Sequence, residues 1–202
     1  LISNFLLPLT LPILIKNFFL KFKKKKQPSN IRTLCIGNIY LGGTGKTPLT
    51  IKIYEILSKL KYKTATVKKD YSNQKDEQLL LNKKSRLIIK KSRKEALQQG
   101  INESFDFLIF DDGLQDIDLE YNFKIVCFKT EQWVGNGRLI PAGPLRENIS
   151  SLKKFDAVFL NGYTKKYNLI KKEIIKINQK IKIFKTFYEI SNLKKFNLNL
   201  KY

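Results

Sequence analysis

The chain contains no histidine and no methionine, only two cysteines and one tryptophan, and fewer than half as many acidic residues as basic ones. Without histidine, no Ser-His or Cys-His catalytic pair can form within these residues, and imidazole metal sites are excluded. Cys35 and Cys127 each lie inside an apolar run with no metal-ligating neighbour at useful spacing. They read as small buried hydrophobes, and nothing suggests a disulfide framework. The shortage of acid leaves a formal charge of +22 over 202 residues. Such an excess invites nucleic acid, an anionic membrane surface or an acidic substrate. Heavy use of lysine, asparagine and isoleucine is also what AT-rich coding imposes, and it explains part of the charge. The basic residues are spread along the chain rather than interleaved with aromatics, so no nucleic acid is expected as partner.

Residues 5–22 are nearly all apolar, interrupted mainly by Pro8, Pro12, Lys16 and Asn17, and are joined by Lys21 and the run Lys23, Lys24, Lys25 and Lys26. A secretory signal carries its positive charge before the apolar run; here the order is reversed. About 18 residues could just span a bilayer as a helix. Two prolines and an interior lysine argue instead for a segment lying in the plane of a membrane surface, its lysines toward anionic headgroups. A buried core helix is the alternative. Residues 1–27 are thus read as a membrane-associating segment, set apart by a polar linker at 27–30 from a second unit at 28–202.

In that second unit, strand and helix patterns alternate. Strands are predicted at 32–37, 63–67, 86–90, 105–110, 123–128, 155–160 and 181–187. Helices are predicted at 48–61, from about 76, at 92–99 with a stop at Gly100, and at 165–178. The strand patterns are near-continuous apolar runs, which suits a sheet covered on both faces. The expected fold is α/β: a doubly wound, mostly parallel sheet of the P-loop NTPase kind, with its ligand at the carboxyl ends of the strands and a membrane-surface helix in front.

Gly42-Gly43-Thr44-Gly45-Lys46-Thr47-Pro48 stands between the first strand and the first helix of this unit. Glycines there let backbone N–H groups turn toward phosphate oxygens; Lys46 can reach the β- and γ-phosphates, and Thr47 can hold Mg²⁺ through its hydroxyl. Pro48 suits the first helical turn. The strict pattern asks for glycine where Tyr40 stands, and a glycine turn that binds nothing is the alternative. The apolar run 105–110 delivers Asp111-Asp112-Gly113 at its carboxyl end, the placement a Mg²⁺-holding carboxylate needs. Spacing does not say which aspartate serves, and an Asp-Gly turn is the plain reading. Asp76-Glu77 opens a helix and could simply complement its dipole. A kinase acting on a hydroxyl also needs a carboxylate to accept the proton near the γ-phosphate, and Asp76 is a candidate. Residues 135–147 form a Gly- and Pro-rich stretch with Arg138 and Arg146 at either side, suited to substrate or phosphate contact or to a structural turn.

Taken together, the Gly37-Asn38 and glycine-loop residues, Asp76-Glu77, Asp111-Asp112-Gly113-Leu114-Gln115, Gly135-Asn136-Gly137-Arg138 and Pro141-Ala142-Gly143-Pro144-Leu145-Arg146-Glu147 resemble the tetraacyldisaccharide 4'-kinase family, the lipid A kinases of Gram-negative bacteria. The resemblance implies transfer of the γ-phosphate of ATP to the 4'-hydroxyl of an acylated disaccharide lipid, at the cytoplasmic face of the inner membrane. By position, Tyr40, Leu41, Gly42, Gly43, Thr44, Gly45, Lys46 and Thr47 would bind ATP, with Arg146 facing anionic phosphate. Thr47 and Asp111 or Asp112 would serve Mg²⁺, with Glu77 assisting; Asp76 and Lys46 would be catalytic. The chain departs from the family pattern at Lys68-Lys69-Asp70-Tyr71, where Ser-Arg-Gly-Tyr-Gly is usual. Lys75 stands for the glycine before Asp-Glu, and Asp116 for a histidine after Gln115. The family's carboxyl-terminal part, with a histidine that assists the catalytic carboxylate, has no counterpart here. The expectation is therefore a kinase domain shortened at its carboxyl end, or else a nucleotide-binding remnant of one.

Overall fold

The apolar run at 32–37 becomes the central strand of a seven-stranded, wholly parallel sheet in the computed structural model, which describes residues 2–20, 30–70, 75–116 and 118–187. The strands are β1 (Arg32–Gly37), β2 (Thr64–Lys69), β3 (Leu87–Lys90), β4 (Phe107–Asp111), β5 (Phe123–Lys129), β6 (Ala157–Asn161) and β7 (Lys182–Thr186). They lie side by side as β3-β2-β4-β1-β5-β6-β7. Helices α1 (Ile2–Phe5) and α2 (Leu11–Leu20) precede the sheet; α3 (Lys46–Lys59), α4 (Lys75–Lys84), α5 (Arg93–Asn102) and α6 (Tyr167–Ile177) alternate with its strands.

Alternation of side chains along each buried strand feeds two cores. On one face Cys35, Val67, Leu108, Phe110, Val126 and Phe128 pack with Ala96 and Leu97 of α5 and Ile170 and Ile174 of α6. On the other, Ile36, Ile109, Ile125 and Cys127 meet Leu49, Ile53 and Leu57 of α3. With both faces covered, apolar residues occupy successive strand positions, which is why the central strands read as runs rather than alternations.

Several boundaries differ from expectation for local reasons. β2 runs on to Lys69 because its ladder with β3 continues through Lys68 against Ile89 and Lys69 against Lys90; lysine at a strand end hides this from a hydropathy pattern. α5 starts as expected, with the Ser92 hydroxyl accepting from the Glu95 N–H at 3.2 Å. It does not stop at Gly100 but passes it to Asn102. Gly100 is there for space: a Cβ would lie 2.5 Å from Cδ1 of buried Leu108. β6 begins at Ala157, after a 3-10 turn Ile149–Lys154 that the sequence did not announce, capped by the Asn148 side chain.

At the amino end, Pro8 sits in the first turn of a 3-10 segment Leu7–Thr10 and Pro12 in the first turn of α2. Each starts an element instead of breaking one. Residues 1, 21–29, 71–74, 117 and 188–202 lie outside the described residues, and with them Lys21, Lys23, Lys24, Lys25, Lys26, the Gln27-Pro28-Ser29 part of the linker and Tyr71.

Both cysteines are fully buried in the sheet, and burial pushes the Cys127 thiol up to about 12 and raises Cys35 as well. Since the thiolate is the reacting form, neither is expected to react with a thiol reagent near pH 8 in the folded chain. Both should react once it is denatured, as a colorimetric thiol count with and without guanidinium would show.

Candidate active site

β1 ends at Gly37, and the chain turns through the glycine loop at the carboxyl edge of the sheet before α3 begins at Lys46. Gly42 (φ 106°) and Gly45 (φ 88°) adopt left-handed backbone that other residues rarely take. Gly45 is the residue before α3 and supplies no side-chain cap, so the helix's first N–H groups face the cleft without a side-chain acceptor. A Cβ at Gly42 or Gly43 would meet nothing within 4 Å, so the loop is open to a ligand on that side. Asn38 braces the loop from beneath, its amide donating to Gly42 O at 3.0 Å. The Thr44 hydroxyl and Asn38 Oδ1 are buried without a hydrogen-bond partner. A cleft of about 260 Å³ lies here, lined by residues 43–48 together with Glu77, Leu80, Lys129 and Asn161. Of the sequence-predicted loop residues, Leu41 is exposed, and Tyr40 is turned to pair with Leu145.

The ladder between β1 and β4 sets Ile36 opposite Asp111. That register carries the Asp111 carboxylate beneath the first turn of α3, where it accepts the Thr47 hydroxyl at 3.1 Å. Asp111 is 2% exposed, and its Oδ1 is buried without a partner. Asp112, at φ 64°, leaves the strand and turns away: Arg146 Nη1 lies 3.5 Å from its Oδ2, and Arg93 donates to its carbonyl. The two aspartates that the sequence left equivalent are therefore distinct. Asp111 faces Thr47, and Asp112 faces Arg146.

Lys68 is the residue that sequence reasoning passed over. It projects from the end of β2, is 2% exposed, and its Nζ donates to Asp111 Oδ2 at 2.9 Å and to Glu77 Oε2 on α4. Burial alone would lower its pKa, but Asp111 and then Glu77 outweigh it, and the ammonium is held above the ordinary lysine range. Burial pushes the Asp111 carboxyl up; Lys68, Lys46 and the Thr47 hydroxyl pull it back only in part. Glu77 is thus tied to a lysine, and Asp76 lies exposed beside it on the first turn of α4. Among the described residues, no three acidic or cysteine side chains converge on one point as a cation cage.

The stretch 135–147 is a brace. The Arg146 N–H donates to Ile39 O at 2.7 Å and the Leu41 N–H to Pro144 O at 2.9 Å, which holds the glycine loop from the side. Gln115 joins the two by donating to Asn38 O (3.1 Å) and Glu147 Oε1 (2.9 Å). Arg146 reaches the Asp112 carboxylate, at the rim of the site. Arg138 does not flank the site as the sequence suggested; its guanidinium donates to the Ser3 hydroxyl (2.9 Å) and Asn4 Oδ1 (2.6 Å). The amino-terminal segment is thereby moored to this brace, with Ser3 donating to Ala142 O and Asn17 to Arg146 O. Asp116, in the place of the family's histidine, pairs with Arg93 at 3.1 Å and accepts two backbone N–H groups of its own turn.

Gly143 allows the brace to close, since a Cβ there would lie 2.2 Å from Asn136 Oδ1 and 2.5 Å from the Arg138 carbonyl. Gly143→Ala is expected to destabilise the fold by about 1–3 kcal/mol, the usual cost of forced overpacking, as read from the shift in a thermal melt.

Comparison with known proteins shows the family and the fold. The family model for tetraacyldisaccharide-1-P 4'-kinase, LpxK, matches residues 6–200. The chain is 47% identical over 183 residues to a tetraacyldisaccharide 4'-kinase of Pelagibacter ubique (strain HTCC1062), covering 91% of this chain and 58% of that protein. It is 33% identical over 168 residues to the enzyme of that name from Psychromonas ingrahamii, covering 73% of this chain and 51% of the relative. The chain thus spans a little over half the length of these relatives. Its fold is similar to that of LpxK from Aquifex aeolicus, solved in complex with ATP, with a TM-score of 0.68 at 18% identity over 93% of this chain and 82% of that one. With the glycine loop, the strand-end aspartates and the Pro-Ala-Gly-Pro brace all in place, the chain belongs to the tetraacyldisaccharide-1-P 4'-kinase family.

Proposed function

We propose that this chain transfers the γ-phosphate of ATP to the 4'-hydroxyl of an acylated disaccharide lipid, a lipid A precursor, at the cytoplasmic face of a bacterial inner membrane. The observation that carries the reading is the meeting, in one cleft, of the glycine loop, the Thr47–Asp111 pair and the first turn of α4. The names of the relatives support the substrate class.

In this reading the open N–H groups ahead of α3 cradle the phosphates, and Lys46 neutralises charge that builds on the γ-phosphoryl group. Asp76 accepts the proton of the attacking sugar hydroxyl as the new O–P bond forms and ADP departs. Mg²⁺ fits the donors present. The Thr47 hydroxyl and the partnerless Asp111 Oδ1 are hard oxygens side by side, and a cation that keeps several waters needs few protein ligands. When bound with ATP, the ion supplies charge neutralisation across the phosphates.

The amino-terminal segment serves as the membrane contact. Phe5 is 84% exposed and Leu9, Leu11 and Ile15 about half, an apolar patch on a segment that polar contacts moor to the brace. No helix among the described residues is long and apolar enough to cross a membrane. An in-plane contact brings the site to where an acylated substrate resides.

The test is phosphate transfer from labelled ATP to a disaccharide lipid with Mg²⁺. Lys46→Ala is expected to lower turnover at least about a hundredfold by removing a phosphate-facing charge. Asp76→Asn is expected to leave ATP affinity intact and to cut turnover about 10²–10⁴-fold; full turnover in that variant would remove Asp76 from its role. ATP binding by the unaltered chain with no transfer to lipid would favour a nucleotide-binding remnant. Replacing Phe5, Leu9 and Leu14 together with serine should weaken partition onto anionic vesicles about tenfold or more in a flotation assay, since each apolar side chain contributes on the order of 1.5–3 kcal/mol when fully buried.

A further inference from the structure

Two carboxylates converge at the inner end of the cleft, Asp111 from β4 and Glu77 from α4, and the group between them is the Lys68 ammonium. The ladder explains how it arrives there. β2 and β4 are neighbours, with Val67 opposite Phe110, so the next rung places Lys68 beside Asp111. The lysine side chain is 2% exposed and that of Asp111 is fully buried, so water does not screen the pair. Asp111 Oδ2 also accepts the Thr47 hydroxyl, while its Oδ1 remains buried and unpartnered. Carboxylate oxygens beside a hydroxyl are the ligands a hard divalent cation takes. Here a fixed single charge holds that position.

We propose that Lys68 is a resident cation that occupies the space between Asp111 and Glu77, excludes a divalent ion from it, and ties the first turn of α4 to the sheet. Glu77 then serves as an anchor for α4 and not as a metal ligand. Asp76, its neighbour on that turn, is positioned through the same link. Buried ion pairs are by themselves weak evidence for stabilisation, because desolvating both charges offsets their attraction. Removing the side chain distinguishes a purely structural lysine from a resident cation. Loss of a structural pair lowers stability and creates no affinity. Loss of a resident cation leaves the buried Asp111 and the half-exposed Glu77 carboxylates facing the emptied space between them, which attracts a divalent ion.

The proposal rests on the Mg²⁺-ATP reading only in naming Asp111 as a carboxylate suited to a metal, and its test needs neither nucleotide nor turnover. Mn²⁺ would be titrated into the full nucleotide-free chain, with free Mn²⁺ read by electron paramagnetic resonance. The wild type is expected to show no tight site. Lys68→Ala should gain one Mn²⁺ per chain with a Kd at least tenfold below any wild-type binding, and Lys68→Ala combined with Glu77→Gln should lose it again. Lys68→Arg, which keeps the charge, should behave as wild type. Mn²⁺ binding by Lys68→Ala no stronger than by wild type would overturn the proposal, as would a gained site that survives Glu77→Gln. If Lys68→Ala is too unstable to titrate, its melting temperature is measured with and without millimolar MnCl₂. A rise larger than in the wild type supports the resident cation, and an equal or smaller one overturns it.

Discussion

The parallel pairing of β1 with β4 is the constraint on which the site depends. It sets Ile36 opposite Asp111, and both strands end at the same edge of the sheet. The glycine loop must therefore turn directly above a buried carboxylate, and α3 must begin with Thr47 in hydrogen-bonding reach of it. A slip of one residue would point Asp111 to the other face of the sheet, because strand side chains alternate with period two. The cores on the two faces prevent that slip. Ile109 and Ile36 belong to the core under α3, and Leu108 and Phe110 to the core under α5 and α6.

Around this register a second layer of backbone bonds fixes the loop from the side. The brace at 135–147 holds residues 39 and 41 by main-chain bonds, and Gln115 ties residue 38 to Glu147. The same brace receives the amino-terminal segment through Arg138 and Ala142. An apolar patch and a phosphate-shaped loop are thus connected by a short path of hydrogen bonds.

Electrostatics in the site run against the bulk composition. The chain as a whole carries a large positive excess, yet the site is organised by acids: Asp111, Asp112 and Glu77 are each matched to a specific base or hydroxyl. Lys68 meets Asp111 where burial strengthens the attraction, whereas Arg146 and Asp112 pair at the partly exposed rim. The surface lysines are screened by water and salt and act on solubility rather than on chemistry in the site.

The α/β class, the alternation of strands with helices, the glycine loop and the strand-end aspartates were legible in the sequence because each rests on local pattern: apolar runs, glycines at a turn, acid after a buried strand. Composition also excluded histidine chemistry within these residues. Only the tertiary structure separated Asp111 from Asp112, turned Arg138 away from the site, and placed Lys68 between two carboxylates. Those outcomes depend on register between strands far apart in the chain, and on which residues that register desolvates. A sequence shows Lys68 only as the residue after a strand pattern; the fold decides that its charge has no water to face and two acids to hold it.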